Sequence, residues 1–109
     1  MPVYAAGDGY VSRIKISVFG YGKAIYITHP NGYTSVYGHL QKANGAIETY
    51  IKSKQYKEQS YEVEMYLFPT ELPVKKGDII AFSGNTGGSG APHLHFEFRN
   101  TKSEEILNP

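Results

Sequence analysis

Polar and apolar positions alternate with a period of two over most of the chain. Tyr10 to Ile16 (YVSRIKI) reads as a half-buried strand. Gly7-Asp8-Gly9 just before it is a turn signal, which predicts that Pro2 to Ala6 folds back on it as a hairpin. Gly20-Tyr21-Gly22 is a second break. Lys23 to Thr28 (KAIYIT) and Tyr33 to Tyr37 (YTSVY) are β-branched and aromatic runs, joined by His29-Pro30-Asn31-Gly32. An Asn-Gly step between two such runs predicts another hairpin, because both residues tolerate the positive φ of its turn. Tyr61, Val63, Met65 and Leu67 alternate with Glu62 and Glu64 as a further strand. Val74-Lys75-Lys76-Gly77-Asp78 is a tight turn leading into apolar Ile79-Ile80-Ala81. His93 to Arg99 (HLHFEFR) is the last strand.

The period changes between Asn44 and Lys57. Ile47, Tyr50, Ile51 and Lys54 fall at helical spacing, Asn44 is a suitable N-cap, and Glu48 to Lys52 is a favourable i,i+4 pair. The pattern gives a mainly β, antiparallel sheet protein with one short inserted helix, at about residues 43–58. A chain of 109 residues accommodates a single domain, here 1–109.

Composition narrows the chemistry. There are 11 lysines and arginines against 10 acidic residues, and this balance lacks the basic footprint of a nucleic-acid binder. No apolar run is long enough to span a membrane, and the N-terminus has no signal-peptide pattern. With no cysteine, thiolate metal sites, disulfides and cysteine nucleophiles are excluded. Any metal must be held by Asp, Glu or the four histidines, His29, His39, His93 and His95.

The last strand carries the richest chemistry. Leu94, Phe96 and Phe98 fall on one face, as a core requires, and His93, His95, Glu97 and Arg99 on the other. Four ionisable positions on one face suit the floor of a wet groove. Histidines at i and i+2 lie roughly 7 Å apart, close enough to share a metal or to flank one. The glycine-rich Gly84 to Gly90 loop (GNTGGSG) before them opens access. It lacks a P-loop lysine and leads into a strand, so a phosphate cradle is disfavoured. The insert is a candidate wall of that groove. His39, in Tyr37-Gly38-His39-Leu40, taken alone is a surface residue at a strand end. His29 is expected to hydrogen-bond local backbone in its hairpin turn.

The segments YGKAIYITHPNGYTSVYGHL and VKKGDIIAFSGNTGGSGAPHLHFEFR resemble the lysostaphin/LytM-type zinc endopeptidases, peptidase family M23. The resemblance implies an antiparallel domain of the LytM, or duplicated-hybrid-motif, type. It also implies zinc-dependent hydrolysis of peptide cross-links in peptidoglycan, at the cell envelope or outside the cell. Carried over residue by residue, it makes His95 a zinc ligand, His93 a general acid/base, and His39 a residue that orients the attacking water and stabilises the oxyanion.

The family's remaining zinc ligands, a His and an Asp in an H-x-x-x-D element, have no match between Met1 and Pro109. Asp8 and Asp78 read as turn residues instead. The expectation is an N-terminally short domain that binds zinc weakly and is not active alone. A missing N-terminal segment or a second copy would complete its site. A non-catalytic LytM-like binding or regulatory domain is the alternative reading. A lipoyl/biotinyl-like carrier is a remote one, because no lysine is presented in a suitable turn.

Overall fold

The Asn-Gly hairpin organises the sheet. A computed structural model describes residues 1–18, 20, 22–83, 95–100 and 106–107, with backbone alone at 95, 106 and 107. The elements are β1 (Pro2–Tyr4), β2 (Gly9–Ile16), β3 (Lys23–Thr28), β4 (Tyr33–Ala43), α1 (Gly45–Glu58), β5 (Val63–Tyr66), β6 (Pro73–Val74), β7 (Ile79–Ser83), β8 (His95–Asn100) and β9 (Ile106–Leu107). The architecture is mainly antiparallel sheet with a single helix, as the alternation predicts.

β3 and β4 pair from Thr28↔Thr34 to Lys23↔Leu40. The turn is closed by His29 N donating to Tyr33 O at 2.8 Å, and Gly32 takes a φ of 87°. Outward from this hairpin the strand order is β1-β7-β4-β3-β2-β5, with β6 on β2, β8 on β4 and β9 on β8.

The expected hairpin of Pro2–Ala6 with Tyr10–Ile16 does not form. β1 pairs instead with β7, Pro2 opposite Phe82 and Val3 opposite Ala81. The Gly-Asp-Gly segment makes a connection, but the chain crosses to another strand. Ala5 N donates to Asp78 O at 2.8 Å and Asp8 Oδ1 accepts from Lys76 N at 2.8 Å, so the glycine-flanked turn is held by the Lys75–Asp78 turn.

Strand alternation gives the sheet two unlike faces. One carries Val11, Ile14, Ile16, Ile25, Ile27 and Tyr37, all at or below 1% exposure, and the helix lies on it through Ile47 and Ile51. The helix therefore covers the core face and does not wall the face bearing Glu97 and Arg99. Its start is at the expected residue, with Asn44 in the N-cap position, but the cap is made differently. Asn44 precedes Gly45 but makes no side-chain cap; its Nδ2 donates to Ile79 O at 3.0 Å, tying the helix start to β7. Glu48 and Lys52 do pair, at 3.8 Å. The opposite face of the sheet holds a smaller buried cluster, Ala24, Tyr26 and Val36.

Candidate functional site

β4 is long enough to have two partners along one edge. Residues 33–38 pair with β8 and residues 40–43 with β7. His39 is the residue at which the partner changes. On the other edge, Gly38 and His39 together stand opposite the single residue Ala24, a β-bulge. His39 takes a φ of 56°, in the left-handed region that a non-glycine side chain rarely occupies, and it is exposed. Bulges of this kind re-aim a side chain away from the regular pleat.

The backbone of His95 pairs with Gly38, the neighbour of His39. Two of the three histidines singled out by sequence are thus brought together at the level of the strands. His93, Leu94 and the Gly84–Gly90 loop lie outside the described residues.

The face around them is less wet than its sequence suggests. Glu97 is only 6% exposed, and Arg99 Nη2 lies 3.3 Å from its Oε1. Tyr26, on β3, is flanked by two guanidiniums, Arg13 at 4.7 Å and Arg99 at 5.6 Å from the ring centroid. Arg13 also stacks on Tyr66 of β5 and forms an ion pair with Glu64, its Nε donating to Oε2 at 2.7 Å. The Arg13 guanidinium holds the Glu64 carboxyl below the usual carboxylate range. One row of the sheet, Glu97–Val36–Tyr26–Arg13–Tyr66, is therefore closed by paired charges and aromatic faces. The expectation of a solvated floor fails at Glu97 and Arg99 because each has a partner that allows burial.

His29 is not a surface turn residue. It is 7% exposed; its Nδ1 is 2.7 Å from Asp8 O and its Nε2 2.7 Å from Ser35 Oγ. Its ring partners are the Ser35 hydroxyl across the hairpin and the carbonyl of distant Asp8, not the backbone of its own turn. The signal was present in YTSVY, where Ser35 and Tyr37 alternate onto the core face and a hydroxyl there requires a partner. His29 also lines a pocket of about 400 Å³ with Gly7, Asp8, Lys76 and Phe98, yet both its ring nitrogens are already engaged.

Among the described residues, no group of three or more His, Asp or Glu is placed to hold a metal. These donors do not by themselves make the three-ligand set of a catalytic zinc.

Fold and sequence place the chain among the β-sheet metallopeptidases. The sequence model of peptidase family M23 matches residues 1–57 and 62–109, and the chain belongs to that family. It is an M23 peptidase domain resembling peptidoglycan endopeptidases. One similar protein is the peptidoglycan DD-endopeptidase ShyC of Vibrio cholerae, 34% identical over 97 residues that cover 89% of this chain and 17% of that protein. The chain spans about a sixth of the length of the curated relatives it matches. The catalytic domain of lysostaphin from Staphylococcus simulans superposes with a TM-score of 0.63 at 30% identity, covering 100% of this chain and 67% of that one. A zinc-containing peptidase from Vibrio cholerae superposes with a TM-score of 0.51 at 27% identity, covering 97% and 25%.

Proposed function

We propose that the chain is the catalytic-site portion of a zinc endopeptidase that cuts peptide cross-links in peptidoglycan, acting in the cell envelope or outside the cell. The observation that carries this reading is the pairing of Gly38 with His95, which puts the strained His39 beside the start of β8. In this reading His95 is a zinc ligand, and His39 and His93 handle protons around the scissile peptide. Imidazoles suit that task because their ordinary pKa lies near neutrality. Zinc, when bound, polarises the scissile carbonyl and activates water. The helix lies on the core face, away from the face that bears Glu97 and Arg99. Among the described residues no helix is long and apolar enough to cross a membrane.

The remaining ligands of the family have no counterpart in 1–109, so residues 1–109 alone bind zinc weakly and do not turn over. In this reading a segment of the full protein outside residues 1–109 supplies the His-x-x-x-Asp element. The test compares the full protein with residues 1–109 by metal analysis and by chromatography of digested peptidoglycan. The full protein is expected to hold one zinc and release cleaved cross-links, with both lost on His95→Ala. Residues 1–109 are expected to do neither. Stoichiometric zinc and hydrolysis by residues 1–109 would overturn the incomplete-site reading. A metal-free, inactive full protein would instead favour a non-catalytic wall-binding domain.

A further inference from the structure

A buried chain of hydrogen bonds runs behind the candidate site, on the core face of β4. Ala6 N lies 2.9 Å from Tyr37 Oη, Tyr37 Oη 2.8 Å from Ser35 Oγ, Ser35 Oγ 2.7 Å from His29 Nε2, and His29 Nδ1 2.7 Å from Asp8 O. Both of its ends have a fixed direction. The Ala6 amide can only donate and the Asp8 carbonyl can only accept. Ala6 therefore donates to Tyr37 Oη and His29 donates from Nδ1 to Asp8 O, and the two hydroxyls and His29 Nε2 complete the chain between them.

Why a hydroxyl is buried here needs a reason. Tyr37 is 1% exposed, and a phenylalanine would fill the same volume without removing a polar group from water. Fully satisfied buried networks fix one arrangement of a core where apolar packing alone tolerates several. The arrangement fixed here is that of β4. The Tyr37 ring meets Phe96 of β8 edge-on, 5.3 Å between centroids. Tyr37 stands two residues before His39, and Phe96 is the residue after His95. The contact thus joins the two strands beside the backbone of both histidines. The left-handed φ at His39 persists only where the surroundings over-determine it.

We infer that Tyr37 is a positioning residue for His39: its hydroxyl, anchored through Ser35 and His29 to the Ala6–Asp8 segment, holds β4 at the depth that keeps the bulge in place. This rests on the reading of His39 as part of the hydrolytic site. Displacements well below the size of a side chain are enough to slow a reaction that depends on aligned groups.

The experiment uses the full protein with Tyr37→Phe, with Ser35→Ala as a second break in the same chain, and with Ile27→Val as a control. Ile27→Val loosens the same core face but leaves every hydrogen bond of the chain intact. On a soluble cross-linked muropeptide, Tyr37→Phe is expected to lower kcat about tenfold with KM within about twofold. Ser35→Ala should show the same split, and Ile27→Val should leave kcat unchanged at a comparable loss of stability. The carbon chemical shifts of His39, read by NMR, should move off left-handed values in the first two variants only. If Tyr37→Phe fails to fold, Ser35→Ala decides. Unchanged kcat and unchanged His39 shifts in the chain-breaking variants overturn the inference. If the wild-type protein shows no turnover, the hydrolase reading fails by itself, and the His39 shifts still decide whether Tyr37 positions it.

Discussion

Glu97 and Arg99 stand two residues apart on one face of β8, with Arg99 Nη2 3.3 Å from Glu97 Oε1 and the carboxylate almost wholly buried. Such a pair contributes little over an apolar pair of the same shape, but breaking it is costly because a charge is left without its counter-ion in a poorly solvated place. Arg99→Ala is expected to lower unfolding free energy by about 3 kcal/mol, with Glu97→Gln less harmful because an acceptor oxygen remains. Urea denaturation of both variants checks the order. Equal losses would show that Glu97 does not depend on this guanidinium.

A second prediction concerns backbone approach at Gly9. A Cβ there would lie 2.2 Å from Thr28 O, a backbone atom that cannot rotate away. At Gly7 a Cβ would meet only the edge of the His29 ring at 3.3 Å. Gly9→Ala should destabilise by about 2 kcal/mol or more, as β2 must move off β3, and Gly7→Ala by clearly less. Thermal unfolding of the two variants tests the ranking.

These cases show what the sequence could and could not convey. The β3–β4 hairpin was legible because Asn31-Gly32 acts within four residues. The partner of β1 was not, because Val3 and Ala81 meet across almost the whole chain, and a turn signal such as Gly7-Asp8-Gly9 says only that the chain bends. The placement of His39 and His95 on neighbouring strands follows from one long-range pairing, β4 with β8, that local pattern leaves open. Nothing in Tyr37-Gly38-His39 announces a left-handed φ at the histidine. The alternation did mark Ser35 as a polar residue on an apolar face, but its partner His29 sits in a turn where local backbone was the expected partner.

Alkaline pH provides a third test. Burial pushes the Tyr37 phenol above its ordinary value, only partly offset by its hydrogen bonds to Ser35 and Ala6. Below about pH 10 both folded and unfolded chains hold this proton, and its contribution to stability is fully present. Above it the unfolded chain releases the proton first, so stability falls as pH rises toward the folded-state value, by at most about 1.4 kcal/mol per pH unit from this one group. Tyr37→Phe should start from a lower plateau and decline less steeply between about pH 10 and 12. Parallel curves for wild type and variant would show that Tyr37 does not supply the slope.

At the acid end the sign reverses for Glu64. Its carboxyl is held low first by the hydrogen bond from Arg13, so the pair is intact above the unfolded carboxylate value and is lost as pH falls through the folded one. The site is open to solvent, so the contribution is small, about 0.2–1 kcal/mol. Glu64→Gln should cost that small amount above about pH 6, match the wild type once Glu64 is protonated in acid, and therefore lose stability less steeply in between. Salt should narrow the difference, because exposed pairs are screened.

The last prediction sets function against stability at His39. A side chain at a φ of 56° carries strain of about 1 kcal/mol that glycine does not. His39→Gly should therefore be at least as stable as the wild type, apart from the entropy glycine adds to the unfolded chain, and His39→Ala should be less stable than His39→Gly. If His39 works on the scissile peptide as proposed, both variants lose peptidoglycan hydrolysis by the 10²–10⁴-fold typical of a missing proton carrier, about 3–5 kcal/mol of barrier. Stability retained with turnover lost would mark a position where a costly backbone shape is kept for chemistry. Turnover retained in His39→Gly would remove His39 from the mechanism and leave the bulge as a device for passing β4 from β8 to β7.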